Sequence, residues 1–232
     1  MKIWRDEFML LAIQILLGVL FAGTGIGLVV DIGKNRMDEL KGSTGKQWGS
    51  AFAVGIIANF LDTLGCGSYA PSTFMYKLFN QIDDINIPGT LNVGDTFPVI
   101  FEAFIFTTSV ECDPIFLWVM YICAAVGSFG FASIVTKWPR NKIRIALGTI
   151  MIPLAAIMLC KNLGVGPFGI VGTATGLSGW KLIVAAALNI LWGALMDIGF
   201  GLYAPCMALC ALVGMNITVA FPIMMGSCAL LM

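Results

Sequence analysis

Long apolar stretches separated by short polar ones dominate this chain. Apolar runs cover 8–30, 49–64, 69–80, 95–110, 114–135, 144–160, 181–197, 203–213 and 217–232. A helix needs about 20 apolar residues to cross a bilayer, and most of these runs are read as spanning helices. The runs at 69–80 and 203–213 are too short to cross alone, and each continues an interruption just before it. That interruption is nearly the same sequence twice, G-C-G-S-Y-A-P at 65–71 and G-F-G-L-Y-A-P at 199–205, 134 residues apart. Glycine admits unusual backbone angles and proline fits the first turn of a new helix. Each copy is expected to end one helix and begin a half-helix or re-entrant segment. Paired interruptions in the two halves of a membrane protein point to a site between them.

Composition narrows the class. Hydrophobic residues make up 59% of the chain and charged residues only 11%, against about 25% charged in a typical soluble domain. The apolar run 8–30 exceeds the roughly 7–15 residues of a signal-peptide core, and it is read as a retained first helix. A net charge of zero gives no footprint for a nucleic-acid partner. The expected partners are the lipid bilayer and a small solute, with assembly into a homo-oligomer left open.

Chemistry is restricted as well. The chain has no histidine, and its seven cysteines form no C-x-x-C pair. Histidine-based metal sites, Ser-His-Asp triads and Cys-His dyads are therefore excluded. No metal, no cofactor and no catalytic residue is assigned. An intramembrane enzyme using Asp62 and Asp197 as an aspartyl pair remains as an alternative.

The polar loops carry an orientation signal. Lys34, Arg36, Lys41 and Lys46 occupy 34–46, and Lys137, Arg140, Lys142 and Arg144 occupy 137–144. The turn at 111–113 holds only acidic charge, Glu111 and Asp113. The positive-inside rule places the two basic loops in the cytoplasm and the acidic turn outside. The two Y-A-P interruptions then face opposite sides. Trp48 and Trp180 precede them at similar spacing, and Asn86-Ile87 matches Asn216-Ile217 beyond them. The expected fold is an all-α polytopic protein of the cytoplasmic membrane. Two inverted repeat units, 1–135 and 136–232, would have broken half-helices meeting near the midplane. On this count the second unit stops short of the first, which predicts a further helix or two beyond Met232 or supplied by a partner.

These features resemble the sulfite exporter TauE/SafE family of membrane transporters, the organosulfur or anion permeases. The resemblance rests on G-C-G-S-Y-A-P followed by I-P-G-T-L-N at 87–92, and on G-F-G-L-Y-A-P followed by N-I-T-V-A-F-P at 216–222. It covers the chain from about residue 49 onward. The resemblance implies export or import of sulfite, thiosulfate or a sulfonate, driven by protons or membrane potential. An uncoupled anion channel is the nearest alternative.

An anion at membrane depth needs replacement for lost hydration, and a helix N-terminus offers free N–H groups and partial positive charge. Gly65, Gly67, Gly199 and Gly201 are the residues that would let such amides approach a substrate. Ser68, Tyr69, Tyr203, Thr90, Asn92 and Asn216 would add polar side chains, and Cys66 lies inside the first interruption. Acidic residues in apolar runs cost at least about 2.5 kcal/mol each to insert. Carboxylates repel an anionic cargo, so Asp62, Asp197 and Glu102 are assigned to proton coupling. Asp95, at the start of its apolar run, is expected to cap a helix.

Overall fold

The computed structural model describes residues 2–64, 67–83, 86–135, 172–196 and 201–232, with scattered positions between 139 and 163. These residues are almost entirely helical. Helix α1 (Lys2–Asp31) continues through a wider π turn (Ile32–Arg36) into the short α2 (Met37–Gly42). There follow α3 (Gly45–Thr63), α4 (Tyr69–Leu78), α5 (Ile87–Ser109), α6 (Pro114–Val135), α7 (Trp180–Met196), α8 (Tyr203–Val213) and α9 (Ala220–Leu231). Among the described residues, two stretches are helical, long and apolar enough to cross a membrane, Asp6–Arg36 and Pro114–Phe131. The predicted run 144–160 falls largely outside the described residues.

Sequence chemistry accounts for several of the helix ends. Thr44 and Gln47 form a capping box at the start of α3, satisfying donors that the first turn leaves free. Asp113 Oδ1 accepts from the amides of Ile115 and Phe116 at the start of α6. Gly214, at φ +80°, ends α8 in the left-handed conformation that suits glycine. Pro88 lies in the first turn of α5, where its missing N–H costs nothing.

That last feature corrects an expectation. The apolar run suggested a helix beginning at residue 95, yet α5 begins at Ile87. Asp95 is consequently no cap: it lies in the helix interior and is only 6% exposed.

The chain folds back at several points. Lys181 Nζ, at the start of α7, donates to the carbonyl of Val213, at the end of α8 (3.1 Å). The start of α7 and the end of α8 therefore lie together at one end of this helix pair. Asn216 N donates to Ala174 O (3.0 Å), and Asp113 N donates to Thr175 O (3.0 Å). The α5–α6 turn and the segment 172–176 share that end. Helices α5 and α9 run antiparallel, with Phe106 near the end of α5 stacked on Phe221 at the start of α9 (4.9 Å between rings).

A core of Phe116, Leu117, Met120, Tyr121, Leu195, Met196, Ile223, Met224 and Met225 fills the space among α6, α7 and α9. Helices α6 and α7 meet backbone to backbone. A Cβ on Gly127 would stand 1.9 Å from the carbonyl oxygen of Ile190, and one on Gly193 would stand 2.2 Å from that of Ala124. Such close approach through small residues is the usual way helices associate where no water drives them together. Asn189 is sealed in the same contact, donating to Met120 O (2.6 Å) and Ser227 Oγ (3.3 Å).

Candidate functional site

The two Y-A-P copies start helices at equivalent places, α4 at Tyr69 and α8 at Tyr203, and the fold brings them together. Gly67, at φ +79°, turns the chain out of α3. The Tyr203 side chain lies against it, 3.5–3.6 Å from where a Cβ would stand. The Tyr203 hydroxyl donates to the backbone carbonyl of Asp62, at the end of α3. Phe221 packs edge-on against the Tyr203 ring at 6.2 Å, bringing α9 to the same place.

Around this contact the structure gathers three carboxyls. Asp62 comes from α3, and Asp95 and Glu102 lie two turns apart on α5. All three are buried, and Asp62 Oδ1, Asp95 Oδ2 and Glu102 Oε2 have no hydrogen-bond partner. Ser68, in the first interruption and itself buried, lies beside both Asp62 and Asp95. Glu102 lies within electrostatic reach of both aspartates and of Tyr203. Among the described residues, no Lys or Arg joins the groups acting on these carboxyls. Burying like charges without a counter-charge is strongly unfavourable, so the arrangement calls for a compensating positive species. No set of three His, Cys, Asp or Glu among the described residues is arranged to hold a metal ion.

The remaining sequence-derived residues fall into four groups. Tyr69 donates to Asn92 Oδ1 at 2.5 Å, linking the start of α4 to α5. Gly201 precedes α8 with open space around it. Thr90 and Asn216 are occupied elsewhere: Thr90 Oγ1 donates to Asn86 O (3.0 Å), and Asn216 Oδ1 accepts from Thr218 N (3.1 Å) at the 172–176 end. Their polar atoms complete local turns and do not reach the carboxyls. Gly65, Cys66, Asp197 and Gly199 lie outside the described residues.

Two participants escaped the sequence reading. Asp95 was hidden because its helix seemed to begin there; Pro88, a first-turn proline, was the available signal. Cys228 of α9 lies within electrostatic reach of all three carboxyls. Nothing in its local sequence marks it, since only the packing of α9 against α5 brings it there. The carboxyls are also one-sided. At the 130-residue offset that aligns Asn86 with Asn216, Asp95 and Glu102 correspond to Met225 and Met232.

The two glycines of the repeated motif should respond differently to substitution. A side chain at Gly67 must adopt a left-handed backbone, at a cost of about 1–2 kcal/mol. Gly201 lacks that constraint, and its alanine should fall within about 0.5 kcal/mol of the parent. Thermal unfolding in detergent of Gly67→Ala and Gly201→Ala checks this; equal melting temperatures would refute it.

Comparison with protein families, with curated proteins and with solved structures finds no match, which leaves the geometry of the two interruptions as the guide to this chain.

Proposed function

We propose that this chain is a secondary transporter of the cytoplasmic membrane, moving a small sulfur-containing anion (sulfite, thiosulfate or a sulfonate) together with protons. The observation that carries the reading is the meeting of the two interruptions, with Tyr203 of one resting on Gly67 and bonded to Asp62 of the other. Transporters built from repeats bind their cargo where broken helices of the two halves meet, and rocking of the halves exposes that place to each side in turn.

The arrangement of helices supports the same reading. A broken pair followed by a further helix occurs as α3–α4–α5 and again as α7–α8–α9, the last helix being 23 residues in the first case and 12 in the second, with α5 and α9 antiparallel, as an inverted repeat requires. In this topology the basic segments 34–46, whose first part is the helical continuation of α1, and 137–144 face the cytoplasm, and the acidic turn at 111–113 faces outward. Exposed apolar side chains such as Phe8, Phe52 and Phe129 then face lipid. So many exposed large apolar side chains would be a liability in water.

An anion at this place contends with three carboxyls. A charged carboxylate repels it, whereas a protonated one carries no charge and adds an O–H donor. The starts of α4 and α8 supply further N–H groups and positive partial charge. Anion and protons therefore favour each other's presence, and neither crosses well alone. The choice of a sulfur anion follows the motif resemblance.

The test is uptake into proteoliposomes from a panel of sulfite, thiosulfate, taurine, sulfoacetate, sulfate and chloride, with and without a proton gradient. Saturable uptake of one sulfur anion, driven uphill by the gradient, is the expected result. Silence across the panel from folded protein would overturn the reading, and steady flux that ignores pH and follows voltage would replace it with a channel.

A further inference from the structure

The helices of this protein are not all held alike. Between α6 and α7 the backbones touch through Gly127 and Gly193, and Asn189 bonds across the contact to Met120 O. Tyr121 of α6 donates to Pro222 O in the first turn of α9 (2.8 Å), and its ring is pressed against Gly226, where a Cβ would stand 2.0 Å from it. Helices α6, α7 and α9 therefore move as one body, although α6 comes from the first half of the chain and the others from the second. Motion that uncovers the meeting of the two interruptions must arise elsewhere. Helix α3 is the contrast. It packs on α4 and α5, while Phe52, Ile56 and Phe60 along it are exposed, and Gly49 and Gly55 have open space where a side chain would stand. The pair α3–α4 is lightly attached where the body is tightly sealed.

The second Y-A-P copy reaches across to this pair. The hydroxyl of Tyr203, the first residue of α8, donates to the carbonyl of Asp62 in the last turn of α3. That carbonyl is one of the four that a helix end leaves short of partners. The Tyr203 ring lies on Gly67, where the chain turns out of α3 at φ +79°, and Phe221 of α9 packs edge-on against it. The matching tyrosine of the first copy does something else. Tyr69 of α4 donates to Asn92 Oδ1 of α5 (2.5 Å), within its own half. Equivalent residues of one repeated motif thus serve different ends, one inside a half and one between halves. We propose that the α3–α4 pair is the moving element of this protein, and that the Tyr203 hydroxyl is the catch holding it against the body of α6, α7 and α9. Away from water a broken hydrogen bond is costly, so the pair stays shut while the catch is made. Its release uncovers the place where the two interruptions meet. The use of that motion for transport rests on the transporter reading; the catch itself does not.

Distances between helices decide it. Phe52 of α3, Phe129 of α6 and Ile183 of α7 are exposed and suit probes. Nitroxides attached through p-acetylphenylalanine, paired as 52 with 129 and as 129 with 183, are read by pulsed electron paramagnetic resonance on the full chain in lipid nanodiscs, without substrate. The wild type should give one narrow 52–129 distance. Tyr203→Phe keeps the ring and loses the hydroxyl, and a second 52–129 distance should gain population by about five- to tenfold, the scale of one net hydrogen bond. Tyr69→Phe should match the wild type, and the 129–183 distance should stay the same throughout. A Tyr203→Phe distribution equal to the wild type overturns the proposal, as does an equal response from Tyr69→Phe or a broadened 129–183 distance. A second variant remakes the contact covalently. A Cβ at Gly67 would stand 3.6 Å from that of Tyr203, inside the spacing of about 3.5–4.5 Å that disulfides need. Gly67→Cys with Tyr203→Cys should cross-link on oxidation and give the narrow distance, then show the second population on reduction. No cross-link, or a narrow distance after reduction, overturns the catch. Since no substrate is present, absence of transport by the wild type overturns the transporter reading alone.

Discussion

Gly193→Ala is expected to cost this protein a large share of its stability. The added methyl would stand 2.2 Å from the carbonyl oxygen of Ala124 and 2.9 Å from its carbon. An ordinary C···O contact is about 3.3–3.6 Å, so α6 and α7 must part by more than an ångström. No rotamer change relieves the clash, because both sides are backbone. Parting would also stretch the 2.6 Å bond from Asn189 to Met120 O, leaving a fully buried amide short of partners. Overpacking costs about 1–3 kcal/mol, and an unsatisfied buried polar group costs about 1–3 kcal/mol more. Together these take a large share of a total stability of about 5–15 kcal/mol. Gly130, on the facing helix α6, has open space around it, and Gly130→Ala should be neutral or slightly stabilising. Size-exclusion chromatography after graded heating in detergent compares the two. If Gly193→Ala melts within a few degrees of Gly130→Ala, the close packing described here is wrong.

How much of this was legible in the sequence depends on the range of the interaction concerned. Apolar run length alone anticipated α1, α4, α6, α7 and α8 to within a few residues, except that α1 begins earlier, because helix existence in an apolar chain is a local property. The repeated Y-A-P motif anticipated two helix starts, at Tyr69 and Tyr203, for the same reason. Prediction weakened where a residue's role depends on a distant partner. Gly127 and Gly193 belong to no obvious small-residue motif, and their significance comes from facing each other across two helices. Tyr203 was read as a donor for substrate, yet its hydroxyl is held by Asp62 in the other half of the chain. Asp95 failed for a different cause: its apolar run starts at residue 95, but Pro88 and Asn86 start the helix a further two turns back. Polar residues in a helix's first turns conceal its beginning from a reading based on hydrophobicity. The burial of Asp95 followed from that helix start.

Glu102→Gln is expected to stabilise the protein, the reverse of what substitution at a buried polar position usually does. Glu102 is 7% exposed, its Oε2 has no hydrogen-bond partner, and the charges within its reach are those of Asp62 and Asp95. Of the three carboxyls it has the least compensation, since Ser68 lies beside the two aspartates. A glutamine keeps the shape, removes one of three like charges and brings an amide that can donate to a neighbouring carboxylate. Replacing buried charge by a neutral group of similar size commonly gains about 1–4 kcal/mol. For a chain of this length about 2 kcal/mol corresponds to a rise of about 4–8 °C in Tm, readable by thermal unfolding in detergent at neutral pH. In the transporter reading the same variant should lose gradient-driven accumulation by about tenfold, a typical coupling factor. Natural selection would then keep a destabilising residue because the cycle needs it, as stability and activity often oppose each other at working sites. A fall in Tm for Glu102→Gln would show that the glutamate has a compensating partner, and the charge balance argued for this site would have to be redrawn around it. A rise in Tm with accumulation intact would show that the charge burden of Glu102 is separate from proton coupling, and leave coupling to other residues.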